Sequence, residues 1–306
     1  MGRSGGIRRS SFANAARALK TLLHLAAAAC LCAATLAGAQ SANPAANADY
    51  QPMIGQDGKD VIWVPTTPMI IDRMMRMAQV TPRDLVVDLG SGDGRVAIAA
   101  AKDFGARARG LEYNPDMVAL SRREAAKAGV AERVSFEEAD IFKSDFSSAT
   151  VVTMYLLPTL NLELRPTLLK MKPGTRVASH QFDMGDWEPD EQADLAGRQC
   201  FFWIVPAQVG GTWKFKTAAS STYTTREFEI SLKQTFQKLS GWQTVTNGKS
   251  GLRQPLLRAD QLRFALVDDK GVEHEFEGQV NGARITGQVR SAGGRPASFE
   301  ATRIPD

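Results

Sequence analysis

The chain has 306 residues, with 37 Lys and Arg against 33 Asp and Glu, and a formal net charge of +4. Five of the basic residues and none of the acidic ones fall within residues 1–39, so the rest of the chain is close to neutral. The positive charge therefore gives no indication of nucleic-acid binding, which requires a basic face on the folded part.

Residues 1–39 have the pattern of a secretory signal peptide. A basic start leads into the apolar run "TLLHLAAAACLCAATLAGA", which ends in the small residues Ala37, Gly38 and Ala39. We expect cleavage after Ala39 and export to the periplasm; the alternatives are a mitochondrial-type presequence and a membrane anchor formed by the same run, which is short for a spanning helix. Only one of the three cysteines, Cys200, lies outside this segment, so the mature chain has no internal disulfide.

Three further regions follow the leader. Residues 40–58 are small, polar and aperiodic, which is typical of a linker. Residues 59–205 alternate short apolar runs with helical patterns, as parallel α/β proteins do. Residues 206–306 alternate apolar and polar positions between turns and predict an antiparallel β meander, while the strand in "CFFWIVP" at the boundary fits either sheet. The predicted core of the meander contains Trp213, Phe228, Ile230, Phe236 and Trp242.

The elements of the α/β region can be read in chain order. A helix is expected after Thr67, its N-cap, and Pro68, with an apolar stripe on one face. Gly105 and Gly129 are expected to end the next two helices. The apolar stripe of the first helix consists of Ile70, Met74, Met77 and Ala78. The predicted strands are "DLVVDLG", "ARARGLEYN", "RVSFEEAD", "ATVVTMYLL" and "RVASHQFD".

The stretch "VVDLGSGDGR", residues 86–95, joins the first strand to a helix through Gly90, Gly92 and Gly94. Such a loop lets the backbone approach a ligand, with the free N–H groups of the helix start facing it. A nicotinamide cofactor favours the spacing G-x-G-x-x-G, but here the third glycine comes one residue early. Asp88 would repel a pyrophosphate, yet it is suited to pair with a cationic aminoacyl group. The pattern resembles motif I of class I S-adenosylmethionine (AdoMet) methyltransferases.

Two more acids close the following strands. Glu112 ends the second strand, where a carboxylate can accept both hydroxyls of a ribose. Asp140 closes the third strand, where the methyltransferase pattern places an acid near the adenine amino group. Three acids at three successive strand ends predict a single site. No Cys, His or Asp cluster has the spacing of metal ligands, so no metal is predicted.

The resemblance becomes narrower over residues 60–190. "VIWVPTTPMIIDRMM", "VVDLGSGDGRVAIAAAKDFGARARGLEYNPDMV", "ADIF", "ATVVTMYLLP" and "RVASHQFDMGDW" are together similar to the protein-lysine methyltransferase family related to the mitochondrial ATP-synthase c-subunit methylase. This resemblance implies a Rossmann-like class I sheet with helices on both faces, followed here by the meander, and AdoMet as the cofactor.

The resemblance also implies roles for individual residues. Asp88, Gly90, Ser91, Gly92 and Gly94 would hold the aminoacyl end of AdoMet, Glu112 the ribose, and Asp140 with Ile141 the adenine. Trp63, Pro65 and Thr66 would form a lid over the cofactor.

Tyr155 would orient the acceptor amine beside the transferred methyl group, although a core position at a strand end explains it equally well. Because an amine must lose its proton before it attacks, a base nearby would help. His180 and Asp183 lie out of phase on the last parallel strand. Asp183 is nearer the carboxyl end, where ligands bind, and is the expected base; His180 is expected to be a core histidine.

The function implied is methyl transfer from AdoMet to an amine, in particular a lysine of a membrane or periplasmic protein. The alternatives are an exported AdoMet- or nucleoside-binding protein without turnover and a nicotinamide-dependent oxidoreductase. No nucleic-acid partner is expected, and contact with a membrane is expected only through an uncleaved leader. The sequence does not indicate an oligomeric state.

Overall fold

The protein is described here by a computed structural model that covers residues 50–219, 226–246, 248–291 and 293–305. The predicted leader and residues 40–49 of the predicted linker lie outside the described residues, so cleavage and export stay predictions. Within the described ranges, no helix is both long enough and apolar enough to cross a membrane.

The first sheet has seven strands. They are β1 (Leu85–Leu89), β2 (Arg107–Glu112), β3 (Val134–Glu138), β4 (Val151–Met154), β5 (Arg176–His180), β6 (Glu191–Leu195) and β7 (Arg198–Ile204). Their order across the sheet is β3-β2-β1-β4-β5-β7-β6. Strands β1 to β5 are parallel, whereas β7 runs antiparallel to both β5 and β6. The carboxyl ends of five parallel strands therefore meet at one edge.

Helices pack on both faces of this sheet, as predicted. The described helices are α1 (Pro68–Met77), α2 (Arg95–Phe104), α3 (Pro115–Lys127) and α4 (Pro158–Leu168). Helices α1 to α3 bury their apolar side chains against one face, and α4 buries its own against the other. Val86 and Val87 of β1 belong to opposite apolar clusters, as the two-residue period of a strand requires.

Several local predictions for these helices are confirmed. Pro68 begins α1, but Thr67 at the cap position makes no capping bond through its side chain. Gly105 and Gly129 follow α2 and α3 with φ of 70° and 72°, the left-handed conformation that favours glycine. The apolar stripe of α1 is buried at all four predicted positions, Ile70, Met74, Met77 and Ala78.

The second sheet has nine antiparallel strands and is nearly closed. They are β8 (Gly211–Thr217), β9 (Arg226–Thr235), β10 (Lys238–Val245), β11 (Gly248–Gly251), β12 (Arg253–Arg258), β13 (Gln261–Val267), β14 (Glu273–Asn281), β15 (Arg284–Ser291) and β16 (Ala297–Arg303). The last strand, β16, pairs with the first, β8. Across the gap, the Leu252 N–H donates to the Gly241 carbonyl at 2.9 Å. The predicted antiparallel meander is thus confirmed as a barrel-like sheet.

Phenylalanine rings fill the interior of the second sheet. The rings of Phe264 and Phe276 stack with their centroids 5.0 Å apart, and those of Phe215 and Phe299 stack at 5.5 Å. Burial alternates along β14, with each buried side chain followed by an exposed one. The strict alternation in the sequence therefore reflects one filled face and one exposed face.

The predicted core of the meander requires a correction at Phe236. Trp213 and Ile230 are buried there, and Phe228 packs against the same cluster. Phe236 instead stacks on Trp187 of the first sheet's core, with ring centroids 6.0 Å apart. It occupies the turn between β9 and β10, where its φ is 53°, so the alternation along the strands does not apply to it. Trp242 is half-buried and lies against the Lys249 ammonium, 4.5 Å from the ring centroid.

The loop between β1 and α2 depends on glycines for two different reasons. Gly92 has a φ of 56°, and a Cβ there would lie 2.6 Å from the indole nitrogen of Trp63. Gly94 has a φ of 80°, and its Cβ would lie 2.6 Å from the Phe136 ring. The backbone conformation and the close packing both exclude larger residues.

We expect Gly94→Ala to destabilise the protein more than Gly129→Ala. Both positions have similar positive φ values, but a Cβ at Gly129 meets nothing within 4 Å. Gly129→Ala should therefore cost about 1 to 2 kcal/mol from the left-handed conformation alone. Gly94→Ala should cost about 1 to 3 kcal/mol more than this, because its Cβ would overpack against the Phe136 ring. Urea unfolding of both variants measures the difference, and equal losses would contradict the packing argument.

Candidate active site

A cavity lies at the carboxyl ends of β1 to β4, beneath residues 56–66, which we call the lid. The structure brings most of the predicted site residues together here. Those that line the cavity are Thr66, Asp88, Gly90, Ser91, Gly92, Glu112, Asp140, Ile141 and Tyr155, together with Trp63 and Pro65 of the predicted lid. Gly94 does not line the cavity; it is the N-cap residue of α2, where its backbone shapes the loop.

Asp88 is a buried carboxylate, 4% exposed, with no ion pair among the described residues. Its Oδ1 accepts a hydrogen bond of 2.6 Å from the Thr153 hydroxyl. Burial raises the pKa of Asp88 to about 7, and the negative charges of Glu112 and Asp93 add to the rise against the opposing hydrogen bond from Thr153. The cavity thus contains a carboxylate that a cationic group would stabilise in its charged form.

Glu112 is held by two backbone amides. Its Oε2 accepts from the Gly92 N–H at 2.8 Å, and its Oε1 accepts from the Asn114 N–H at 2.9 Å. Each oxygen has a second acceptor position left, since a carboxylate offers about four. The carboxylate is therefore fixed in orientation and still able to accept a pair of hydroxyl groups.

Asp140 is paired with a lysine from the lid. The Lys59 ammonium lies 3.0 Å from Asp140 Oδ2 and 5.2 Å from the centre of the Tyr113 ring. Asp140 Oδ1 accepts from the Phe142 N–H at 3.0 Å. The hydrogen bond from Lys59 lowers the pKa of Asp140. This ion pair fastens the lid to the end of the cavity beyond β3.

The lid is also tied to the start of α2. The Arg95 guanidinium donates to both carboxylate oxygens of Asp93, with its shortest bond at 2.6 Å, and reaches the Thr66 carbonyl at 3.3 Å. Together with the packing of Trp63 on Gly92, this contact connects lid and glycine loop. Sequence reasoning missed Lys59, whose contact with Asp140 spans 81 residues and belongs to no local motif, and it gave no role to Arg95, whose contact with the lid at Thr66 spans 29 residues.

Tyr155 follows β4 and lies against His180, with ring centroids 3.9 Å apart. His180 is 3% exposed, and its Nδ1 is 3.1 Å from the Thr66 hydroxyl. Its Nε2 is buried and finds no hydrogen-bond partner among the described residues. Burial, assisted by the positive charge of Arg198, lowers the pKa of His180 to about 4, so the imidazole is neutral at physiological pH.

Asp183 is not brought to the cavity. Its side chain is exposed, and its Oδ1 accepts from the Gly185 N–H at 3.0 Å. Strand β5 ends at His180, and Gln181 has a φ of 69°, so the chain turns before Asp183. Asp183 was expected to be the base because it is nearer the carboxyl end of the predicted strand, but the strand ends before it and the prediction is wrong.

Residues 88–191 match the family described as ANTKMT methyltransferase domain. A protein-lysine N-methyltransferase of Saccharolobus islandicus (strain REY15A) is 45% identical over 133 residues, which are 43% of this chain and 83% of that protein. The chain belongs to the protein-lysine N-methyltransferase family. It is therefore a methyltransferase, and its cofactor is AdoMet.

This methyltransferase is similar to two further proteins, and it covers a different share of each. The ATP synthase C-subunit lysine N-methyltransferase of Mus musculus is 37% identical over 129 residues, 42% of this chain and 51% of that protein. A crystal structure described as an RNA methyltransferase from Salinibacter ruber in complex with S-adenosyl-L-homocysteine is 49% identical, with a TM-score of 0.47. The matched region covers 48% of this chain and 96% of the crystallised chain.

The polar side chains that line the cavity follow the same order as the chemical groups of AdoMet. Asp140, Glu112, Asp88 and Tyr155 lie at the carboxyl ends of β3, β2, β1 and β4, which are neighbours across the sheet. Adjacent strands are about 4.8 Å apart, so this row spans about 14 Å. Asp140 and Ile141 would hold the adenine, Glu112 the ribose and Asp88 the ammonium. The buried Ser91 hydroxyl has no partner among the described residues, and it would be available to the carboxylate of AdoMet.

We expect AdoMet to bind more tightly as the pH rises from about 5.5 to about 7.5. Its ammonium stays largely protonated over this range, whereas Asp88 ionises with a pKa of about 7. Below that pKa the affinity should change by up to about tenfold per pH unit, since binding favours the charged carboxylate. Isothermal titration calorimetry at several pH values measures this dependence.

Asp88→Asn serves as the control for this experiment. It should bind AdoMet weakly, with no such pH dependence. In the ligand-free protein, protonated Asp88 contributes to the stability of the fold. This contribution is fully present below the ordinary pKa of an aspartate, and it is lost as the pH rises through about 7. Asp88→Asn should therefore be at least as stable as the parent above pH 7. A pH-independent affinity in the parent would contradict the role of Asp88.

Proposed function

We propose that the enzyme transfers the methyl group to the side-chain amine of a protein lysine, in a membrane or periplasmic protein. The observation that carries this proposal is the position of Tyr155, one strand beyond Asp88 in the row of cavity groups. The relatives at 45% and 37% identity are both named lysine N-methyltransferases, which supports the same acceptor.

Bound AdoMet would supply a methyl group activated by a positively charged sulfur, for transfer to a neutral amine. The lysine ammonium first loses a proton to water, because only the neutral amine has a lone pair. The Tyr155 hydroxyl and ring face would orient that amine. In such a displacement the protein contributes mainly through positioning.

His180 acts through Tyr155. Its ring packs against the Tyr155 ring, and the Thr66 hydroxyl fixes its other side. With a pKa of about 4, it adds no positive charge beside the sulfonium and the incoming amine. It is therefore a positioning residue.

The acceptor class is tested with the full chain, radiolabelled AdoMet, and separate membrane-protein, periplasmic-protein and RNA fractions. We expect label in protein, which mass spectrometry places on lysine side chains. Absence of label from all protein fractions, or label in RNA alone, would overturn the proposed acceptor.

Tyr155→Phe should lower the rate of methyl transfer while the affinity for AdoMet stays nearly unchanged. The ring and its packing on His180 are retained, so the loss reports the hydroxyl. Removal of one hydrogen bond that orients a substrate should cost about 1 to 2 kcal/mol, a rate loss of roughly five- to thirtyfold. Single-turnover rates and calorimetry separate the two effects. If neither quantity changes, Tyr155 is a packing residue only.

A further inference from the structure

A second concavity adjoins the cofactor cavity and shares most of its lining with it, both along the lid and at Tyr155 and Leu156, whereas Leu157 and Phe182 line the second concavity alone. We call it the acceptor groove. One side is formed by lid residues 57–62 and Val64, and the other by residues 155–157 with Phe182. The rings of Tyr155 and Phe182 stack with their centroids 6.3 Å apart, so an aromatic pair lines the groove next to the cofactor cavity.

The mouth of the acceptor groove is apolar. Ile62 on the lid side is 56% exposed, and Leu157 on the opposite side is 43% exposed. Large apolar side chains that face each other across a groove in this way are typical of a surface that binds an apolar partner. They provide no hydrogen bonds to a polar or charged peptide.

The charges of the groove favour a cation. Asp57 and Asp60 both line it, and Asp57 has no ion pair among the described residues. The only lysine of the lid side, Lys59, extends to Asp140 in the cofactor cavity and lies 3.5 Å from Asp60. The groove therefore has an excess of negative charge, which attracts an ammonium group and repels the phosphates of a nucleic acid.

We infer that the acceptor groove binds a lysine flanked by apolar residues in the protein acceptor. The ammonium passes Asp57 and Asp60, and its methylene chain then lies along the aromatic pair toward the cofactor. The flanking side chains of the acceptor contact Ile62 and Leu157. This inference rests on the proposed lysine acceptor and adds the type of sequence around the lysine.

The test uses the full chain with AdoMet and three peptides of equal length, each with one central lysine. The flanks are apolar in the first peptide, neutral and polar in the second, and acidic in the third. We expect kcat/KM for methyl transfer to be highest for the apolar peptide and lowest for the acidic one. Equal values for the apolar and acidic peptides would overturn the inference.

Variants separate the groove from the cofactor cavity. Leu157→Ser, at a residue that lines the groove and not the cofactor cavity, should raise KM for the apolar peptide by about fivefold through lost apolar burial. KM for the polar peptide and the affinity for AdoMet should be nearly unaffected. Leu256→Ser is the matched control, since Leu256 is a similarly exposed leucine, 53%, on the second sheet. It should leave all three peptides unchanged.

Asp57→Asn tests the charge of the groove. It should lower kcat/KM for every lysine peptide, and more so at low salt, because the interaction is an exposed one. If the three peptides and the protein fractions all remain unmethylated, the proposed lysine acceptor fails. If lysines are methylated but Leu157→Ser behaves as Leu256→Ser does, the lysine acceptor stands and the groove assignment fails.

Discussion

The hydrogen bond from the Gly92 N–H to Glu112 joins the parts of the site. It fixes the loop after β1 to the end of β2, at 2.8 Å. The same glycine leaves the space that Trp63 of the lid fills. One residue without a side chain thus sets the position of a carboxylate, the turn of a loop and the packing of the lid.

The site gathers negative charge that the fold alone does not neutralise. Of the three acids in the row, Asp140 is paired with Lys59, Glu112 is held by two amides, and Asp88 has only the Thr153 hydroxyl as a partner among the described residues. A buried carboxylate without a cation raises the free energy of the ligand-free protein. The positive charge of AdoMet would compensate for this. Asp88 therefore destabilises the ligand-free protein and stabilises its complex with AdoMet.

The glycine loop and the acids at strand ends could be predicted from the sequence, because their spacing is local. Asp88, Glu112 and Asp140 each mark the end of a strand, and parallel strands place such ends side by side. Contacts between distant segments left no such signal: Lys59 and Asp140 are 81 residues apart, and Thr66 and His180 are 114 apart. Asp183 was misplaced by extending the last parallel strand past its end, and Phe236 by extending a strand alternation across a turn. In each case a residue with positive φ, Gln181 or Phe236 itself, interrupts the period.

The lid forms part of the wall of both the cofactor cavity and the acceptor groove. Its contacts lie at three points along the site: Lys59 at Asp140, Trp63 on Gly92, and Thr66 at His180 behind Tyr155. A substitution that displaces the lid backbone therefore changes cofactor and acceptor binding together. Leu157 differs in this respect, because its exposed side chain lines the groove and not the cofactor cavity, and it anchors neither the loop nor the carboxylates. A loss confined to the acceptor would then reflect contact with the acceptor itself.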